Sequence, residues 1–189
     1  MILFTSCTKD VTGTTGVFTN PLDPETAEDI GFETPAVVFF PATASTSVGG
    51  GVTLDIHAMD VDSIAGSHIQ VSYNKTKLSL LSLSQGSFYE GAPEMLFYYE
   101  DDTDLGVIDI YSGFLGVDSA SVSGTGQLAS MVFTTISAGV STVVFTDASE
   151  FVDPKDNPIE ILGYGISEVV ADKCVFISSS NETISEKIS

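Results

Sequence analysis

Cationic side chains are scarce in this chain. Its 189 residues include six lysines and no arginine against 26 acidic residues, so the formal net charge at pH 7 is −20. Such a chain would be repelled by a polyanion and has few cations with which to release counterions, which nearly excludes nucleic-acid binding. An anionic membrane surface is disfavoured for the same reason.

Tryptophan and long apolar runs are also absent. No apolar run approaches the roughly 18 residues that a membrane-spanning helix needs. Apolar residues nevertheless make up 43% of the chain and include twelve Phe, so a substantial core can form. Most of the remaining residues are Ser, Thr and Gly, a mixture typical of an all-β extracellular protein.

Short β-like runs follow one another from Pro35 onward. Residues 52–58 alternate strictly, which predicts Leu54 and Ile56 inside a core and Asp55 and His57 outside it. Turn residues separate similar runs, and no strand alternates with a long helix. We therefore predict an all-β fold, a two-sheet antiparallel β-sandwich with jelly-roll topology and about nine strands over residues 35–177.

The two ends are polar and contain the two cysteines. Residues 1–34 are expected to form a leader or linker, and residues 178–189 a polar tail. Ser6 and Cys7 follow a short apolar start that resembles the end of a bacterial lipoprotein signal without its basic region, which predicts lipidation of Cys7. The alternatives are an incidental cysteine at Cys7 or a disulfide with Cys174.

Catalytic patterns are lacking. His57 and His68 lie on predicted strands separated by a turn, too few ligands for a transition-metal site, and both are expected on the solvent face. No Gly-x-Ser-x-Gly elbow is present, and neither cysteine has a catalytic context. We therefore expect no enzymatic activity.

Two acidic turns are candidates for Ca²⁺, which takes several oxygens from neighbouring carboxylates. The first contains Asp101, Asp102 and Asp104, and the second contains Asp153 and Asp156. Neither has the spacing of an EF-hand. The alternative is that both are solvated acidic turns without metal.

The order of these elements resembles that of a cohesin domain over residues 37–170. The most specific element is Gly-x-Gly-x-Leu-Ala-x-φ-x-Phe, present at residues 124–133. A strand, a Gly and an aromatic residue occur at 83–88, and a Gly-Val-Ser step at 139–141. Asn74 departs from the Asp that the family usually carries after Tyr73, and His68 stands where some members carry an acid.

The resemblance implies a non-catalytic scaffolding module that binds dockerin-like partners on one sheet face. In cohesins this face contains the third, fifth, sixth and eighth strands. Alternation alone leaves open whether Phe97 and Tyr99 or Tyr98 and Glu100 face outward on the fifth. Carried over by position, the predicted partner-binding residues are His68, Gln70, Ser72, Tyr98, Glu100, Asp109 and Tyr111.

Two other functions stay open at this point. The polar leader suggests a filament in which one copy's tail completes a neighbour's sheet by strand addition. Direct polysaccharide binding is a further alternative because similar jelly rolls bind sugars, although the absence of Trp disfavours it. For all of these functions we expect a secreted or cell-surface location, with Cys7 as the lipid anchor if it is modified.

Overall fold

The predicted two-sheet sandwich is present in the structure, a computed structural model that describes residues 33–90, 95–114 and 120–173. These residues form twelve strands and one 3₁₀ turn, Ser87–Tyr89. The strands are β1 Ala36–Phe40, β2 Thr43–Ser47, β3 Gly51–Ile64, β4 Gly66–Tyr73, β5 Leu78–Gln85, β6 Met95–Asp102, β7 Val107–Phe114, β8 Val122–Thr135, β9 Gly139–Phe145, β10 Glu150–Val152, β11 Gly163–Tyr164 and β12 Ser167–Asp172.

The strands divide into a five-stranded and a seven-stranded sheet. The five-stranded sheet has the order β11-β1-β3-β8-β5. The seven-stranded sheet has the order β2-β12-β9-β4-β7-β6, with β10 paired to β4. β6 is therefore an edge strand of this sheet. The four neighbouring strands β9, β4, β7 and β6 lie side by side and share one outer face.

Because apolar and polar residues alternate along the strands, the apolar side chains of both sheets point into the core between them. On β3 the side chains of Leu54 and Ile56 are fully buried, as the sequence predicted. Ile108 and Ile110 of β7, which belongs to the opposite sheet, are also buried. Each such side chain contributes roughly 1.5–3 kcal/mol of burial free energy. The packed core therefore fixes which side chains of β4 and β7 point away from it.

The structure has three more strands than the predicted number of about nine. Polar β2, three-residue β10 and two-residue β11 carry almost no alternation of their own. Two of them also introduce parallel pairs, β2 with β12 and β11 with β1, into sheets predicted to be antiparallel. These pairings depend on long-range neighbours, which local periodicity does not report.

His57 corrects a prediction. Its side chain does lie on the outer face of the five-stranded sheet, but it is only 6% exposed. It packs edge-on against Phe40, and its strand neighbours on this face include buried Val38 and Met59. No hydrogen bond reaches its buried Nδ1. Burial lowers the pKa of His57, with nearby Asp55 opposing the shift.

Several predictions fall on residues outside the described part. These are the lipidation of Cys7, its pairing with Cys174, nearly all of the 1–34 leader, and the 178–189 tail. They stay predictions. In the described residues, no helix combines the length and apolar character needed to cross a membrane.

Candidate functional site

The seven predicted partner-binding residues lie on the outer face of the seven-stranded sheet. Strand pairing aligns them in three cross-strand rows. The first row is His68, Tyr111 and Tyr98, the second is Gln70, Asp109 and Glu100, and the third begins at Ser72 beside Val107. The same register puts Tyr98 and Glu100 opposite outward residues of β7, which decides the parity of β6 that alternation left open.

The first row is a stack of three rings. The ring centroids of His68 and Tyr111 are 4.6 Å apart with an interplanar angle of 5°. Those of Tyr111 and Tyr98 are 6.2 Å apart at 22°. Because adjacent strands are about 4.8 Å apart, the rings stand upright on the sheet and turn their edges to solvent. Tyr98 and Tyr111 remain 49% and 38% exposed.

The second row holds its side chains by hydrogen bonds. His68 Nε2 and Asp109 Oδ1 are 2.6 Å apart, and Gln70 Nε2 donates to the same oxygen at 2.8 Å. An ionised carboxylate only accepts, so Nε2 of His68 carries the proton. On the far side of Gln70, the hydroxyl of Thr146 donates to Oε1 at 2.7 Å. The face is therefore an ordered polar network beside an aromatic stack.

Glu100 lies beside this network, on the edge strand β6. The hydroxyl of Tyr98 donates to its Oε1 at 2.6 Å, and this hydrogen bond raises the pKa of Tyr98. Glu100 also lies directly opposite Asp109 across the β6–β7 pair. The site thus places two carboxylates side by side, each already held by a hydroxyl, amide or imidazole donor.

The first acidic turn does not gather its carboxylates into one site. Asp101 accepts a hydrogen bond from buried Tyr73 at 2.8 Å, and burial together with this contact raises the pKa of Tyr73. Asp102 instead accepts the backbone N–H groups of Asp104 and Leu105, both at 3.0 Å. Asp102 therefore caps the turn between β6 and β7.

The second acidic turn is organised in the same way. Oδ1 of Asp153 accepts the N–H groups of Lys155 and Asn157, and its Oδ2 accepts the amide of Asn157. The hydrogen bonds from Asn157 lower the pKa of Asp153. Nowhere in the described ranges do three His, Cys, Asp or Glu side chains lie close enough together to hold a metal. The Ca²⁺ predictions for Asp156 and the other four aspartates stay predictions, with no such cluster behind them.

A match to a protein-family model shows which family the chain belongs to. The cohesin domain model matches residues 37–161, well over half of the chain. The chain belongs to the cohesin family. No curated protein sequence matches this cohesin.

Solved cohesin structures share its fold. A type II cohesin domain from the cellulosome of Acetivibrio cellulolyticus aligns with a TM-score of 0.65 at 15% identity, covering 72% of this chain and 95% of that one. A non-cellulosomal cohesin from Archaeoglobus fulgidus aligns at 0.57 and 18% identity, covering 72% and 92%. A type I cohesin–dockerin complex from Clostridium thermocellum aligns at 0.60 and 14% identity, covering 72% and 99%. At these identities the likeness establishes the fold.

The structure adds residues to this face of the cohesin that the sequence prediction omitted. Leu96 of β6 is 46% exposed and lies opposite Gly113, in line with Tyr98. Val144 of β9 pairs with Ser72, and Glu150 of β10 pairs with His68. Because Ser141 and Val143 of β9 are buried, alternation in β9 could have predicted that Val144 faces outward. The pairing of short β10 leaves no sequence signal from which Glu150 could have been predicted.

Proposed function

We propose that this cohesin is a non-catalytic, extracellular interaction module that docks a dockerin on the outer face formed by β9, β4, β7 and β6. The observation that supports it is the stack of His68, Tyr111 and Tyr98 on an otherwise polar, acidic face. Large rings that remain exposed beside ordered polar groups are typical anchors of protein interfaces. The family and the dockerin complexes among its structural neighbours support the class of partner.

The order of the face favours a protein partner of fixed shape. Hydrogen bonds hold Gln70, Asp109 and Glu100 in place before any partner arrives. Immobilising one flexible side chain on binding costs about 0.5–1.5 kcal/mol of rotamer entropy. Side chains that are already ordered avoid most of this cost. The acidic character of the chain favours a partner with a basic surface and speeds encounter at low salt.

Polysaccharide binding is less well supported by the ring geometry. A sugar ring binds best on the flat face of an aromatic side chain. In the stack, Tyr111 has His68 on one side and Tyr98 on the other, so both of its faces are occupied. Its exposed edge offers a sugar ring little contact area.

The test is binding to dockerins encoded in the same genome. Purified cohesin is mixed with each dockerin, and complex formation is measured by size-exclusion chromatography with light scattering and by isothermal titration calorimetry. We expect a monomeric cohesin and a 1:1 complex. Tyr111→Ala is expected to weaken binding by about tenfold or more, the scale of an interface hot spot. Tyr164→Ala is the matched control, because Tyr164 is similarly exposed at 42% but lies on β11 of the other sheet.

Other outcomes would contradict the proposal in distinct ways. Concentration-dependent oligomers of the cohesin alone, lost on deletion of residues 8–34, would favour the filament alternative. Retardation on a polysaccharide gel without any partner protein would favour the carbohydrate alternative. Equal loss of dockerin binding in the two tyrosine variants would move the interface away from the β4–β7–β6 face.

A further inference from the structure

We propose that the outer face of β11, β1 and β3 is the docking surface for the protein's own N-terminal segment, residues 22–32. This face belongs to the five-stranded sheet and lies on the opposite side of the sandwich from the proposed dockerin-binding face. Its side chains point away from the core between the sheets and are nevertheless buried.

Side chains on this face are as inaccessible as those of the core. Ala36 and Met59 are Cα partners and are fully buried, and Val38 beside His57 is 3% exposed. Gly163, which pairs with Ala36, is also buried. The outer face of a sheet in a two-sheet sandwich meets solvent unless something packs on it. These positions therefore lie under a cover.

The burial stops at the next strand. On β8 the residues opposite Asp55 and His57 are Ser130 and Gln127, and both are partly exposed. The covered area thus extends over β11, β1 and β3 and ends before β8. This is the side of the face on which the chain enters the domain, because β1 is the first strand.

His57 is the polar group of the covered area. Its side chain is more than nine-tenths buried, and its Nδ1 has no hydrogen-bond partner among the described residues. Buried polar atoms nearly always have such a partner. A backbone or side-chain group of the docked segment would supply one, which an apolar strand packed on this face would not.

The described strands do not provide the cover. Each of them belongs to one of the two sheets. In the loop before β11, Ile159 and Ile161 pack against the core between the sheets. The burial is that of a single chain, so a second copy is not needed to explain it. The cover therefore comes from a part of the same chain outside the described ranges.

The point of entry favours the segment before β1. The hydroxyl of Thr34 lies 3.5 Å from Oδ2 of Asp60, next to Met59 at the edge of the covered area. The chain bends at Thr34 and Pro35, so the preceding residues can turn back over β1 and β3. At about 3.3 Å per extended residue, residues 22–32 are long enough to cross three strands spaced about 4.8 Å apart.

The composition of the segment fits an apolar surface. It contains the large apolar side chains Leu22, Ile30 and Phe32. The other stretches outside the described ranges are less well placed. Residues 91–94 and 115–119 are short connections between the two sheets, and residues 174–189 follow β12 of the seven-stranded sheet.

Docking of this segment has a consequence for assembly. A segment that packs on its own domain is not available to complete a neighbour's sheet, which disfavours the filament alternative. The residues before it then leave the domain from the side opposite the proposed dockerin-binding face, so a group attached to them would leave that face open.

The first test uses the intact protein, with its methionine methyl groups labelled with ¹³C. We expect nuclear Overhauser effects from the methyl of Met59 to protons of Ile30 or Phe32, and none from the methyl of core Met131. Contacts of Met59 with residues 33–173 alone would overturn the inference. In a mixture of labelled and unlabelled protein, contacts between molecules would assign the cover to a second copy and would equally overturn it.

The second test measures oxidation of Met59 by hydrogen peroxide, followed by peptide mass spectrometry. We expect Phe32→Ser to speed oxidation of Met59 by about tenfold or more, because burial of one such side chain favours the covered state by at least that factor. Phe18→Ser is the matched control, since Phe18 precedes the segment. We expect it to change the rate by no more than about twofold.

Met131 reports whether the sandwich itself stays folded. It is fully buried in the core, so it should resist oxidation in both variants. Equal protection of Met59 in the two variants would overturn the inference. If Phe32→Ser also exposed Met131, the variant would be unfolded, and the contacts of Met59 in the unaltered protein would decide. Neither test involves a dockerin, so the inference can fail while the proposed function stands, and the reverse.

Discussion

The backbone N–H of Gly86 donates to the carbonyl oxygen of Leu128 at 2.9 Å. This bond joins the end of β5 to the middle of β8. Gly126 lies alongside, where a Cβ atom would stand 2.7 Å from the ring of Phe88. Two of the motifs that carried the family resemblance, residues 83–88 and 124–133, therefore meet in space. Their glycines allow the 3₁₀ turn to pack closely against β8.

Gly86→Ala is expected to destabilise the fold by about 2–3 kcal/mol, at the upper end of ordinary overpacking. The added Cβ would overlap the carbonyl group of Gln127 and lie 2.8 Å from the carbonyl carbon of Leu128. Both are backbone atoms of a paired strand and cannot turn away. The free energy of unfolding in urea measures the loss.

Gly51→Ala is the control for that change. Its Cβ would lie 3.9 Å from the carbonyl of Phe133, an ordinary contact. We expect its free energy of unfolding to stay within about 0.5 kcal/mol of the unaltered protein, since alanine also restricts the unfolded chain. Equal stability of the two variants would contradict the close approach of Gly86 to β8.

Acid is expected to destabilise the protein through His57. Burial lowers the pKa of this side chain in the folded state, so the unfolded chain takes up the proton first as the pH falls. The stability that this residue contributes is complete above its unfolded pKa of about 6.5 and is lost as the pH falls toward the folded value. Each pKa unit of lowering corresponds to about 1.4 kcal/mol of lost stability.

His57→Leu tests this account. The variant is expected to show a smaller drop in unfolding free energy between pH 7.5 and pH 5 than the unaltered protein, measured by urea denaturation at each pH. His68→Gln is the control, because His68 is partly exposed and keeps its place on the opposite sheet. If the drop in stability is the same with and without His57, another group titrates in this window.

His57 also shows where sequence reasoning reaches its limit. Alternation placed it correctly on the outer side of β3, since its neighbours Ile56 and Ala58 are buried in the core. Alternation does not say what packs on that outer side, and the small cluster around Val38 and Met59 depends on pairing between β1 and β3. Burial of an outward residue is therefore a tertiary property.

The candidate site could likewise be predicted only in part, because alternation orients side chains within one strand but does not give the register between strands. β7 alternates clearly, so Asp109 and Tyr111 could be placed outward from Ile108 and Ile110 alone. β6 has bulky or charged side chains at every position, and its parity follows from the register with β7. The ring stack and the opposition of Glu100 to Asp109 are products of that register, which no single strand encodes.

Glu100→Gln is expected to stabilise the cohesin in the absence of any partner. Glutamine keeps an oxygen to accept the hydroxyl of Tyr98 but removes one of two opposed charges. The gain should be about 0.2–1 kcal/mol, the range for cross-strand pairs, and should shrink in high salt. Thermal unfolding at low and high salt measures it.

Glu160→Gln removes the same charge from the loop before β11 and serves as the reference for the general effect of the −20 net charge. We expect a smaller gain from it than from Glu100→Gln. A gain of equal size would mean that total charge, and not the local opposition to Asp109, sets the effect.

Buried Tyr89 anchors the turn that follows β5. Its hydroxyl lies 3.0 Å from the hydroxyl of Ser112, which lies 2.6 Å from that of Ser67. Tyr89→Phe is expected to cost about 1 kcal/mol, the net value of one hydrogen bond, because Ser112 keeps Ser67 as a partner. Tyr98→Phe removes an exposed hydroxyl bonded to Glu100 and should cost less, since water replaces that contact. Urea denaturation of both variants compares them, and an equal cost would mean that the Tyr89 hydroxyl reaches solvent in the native state.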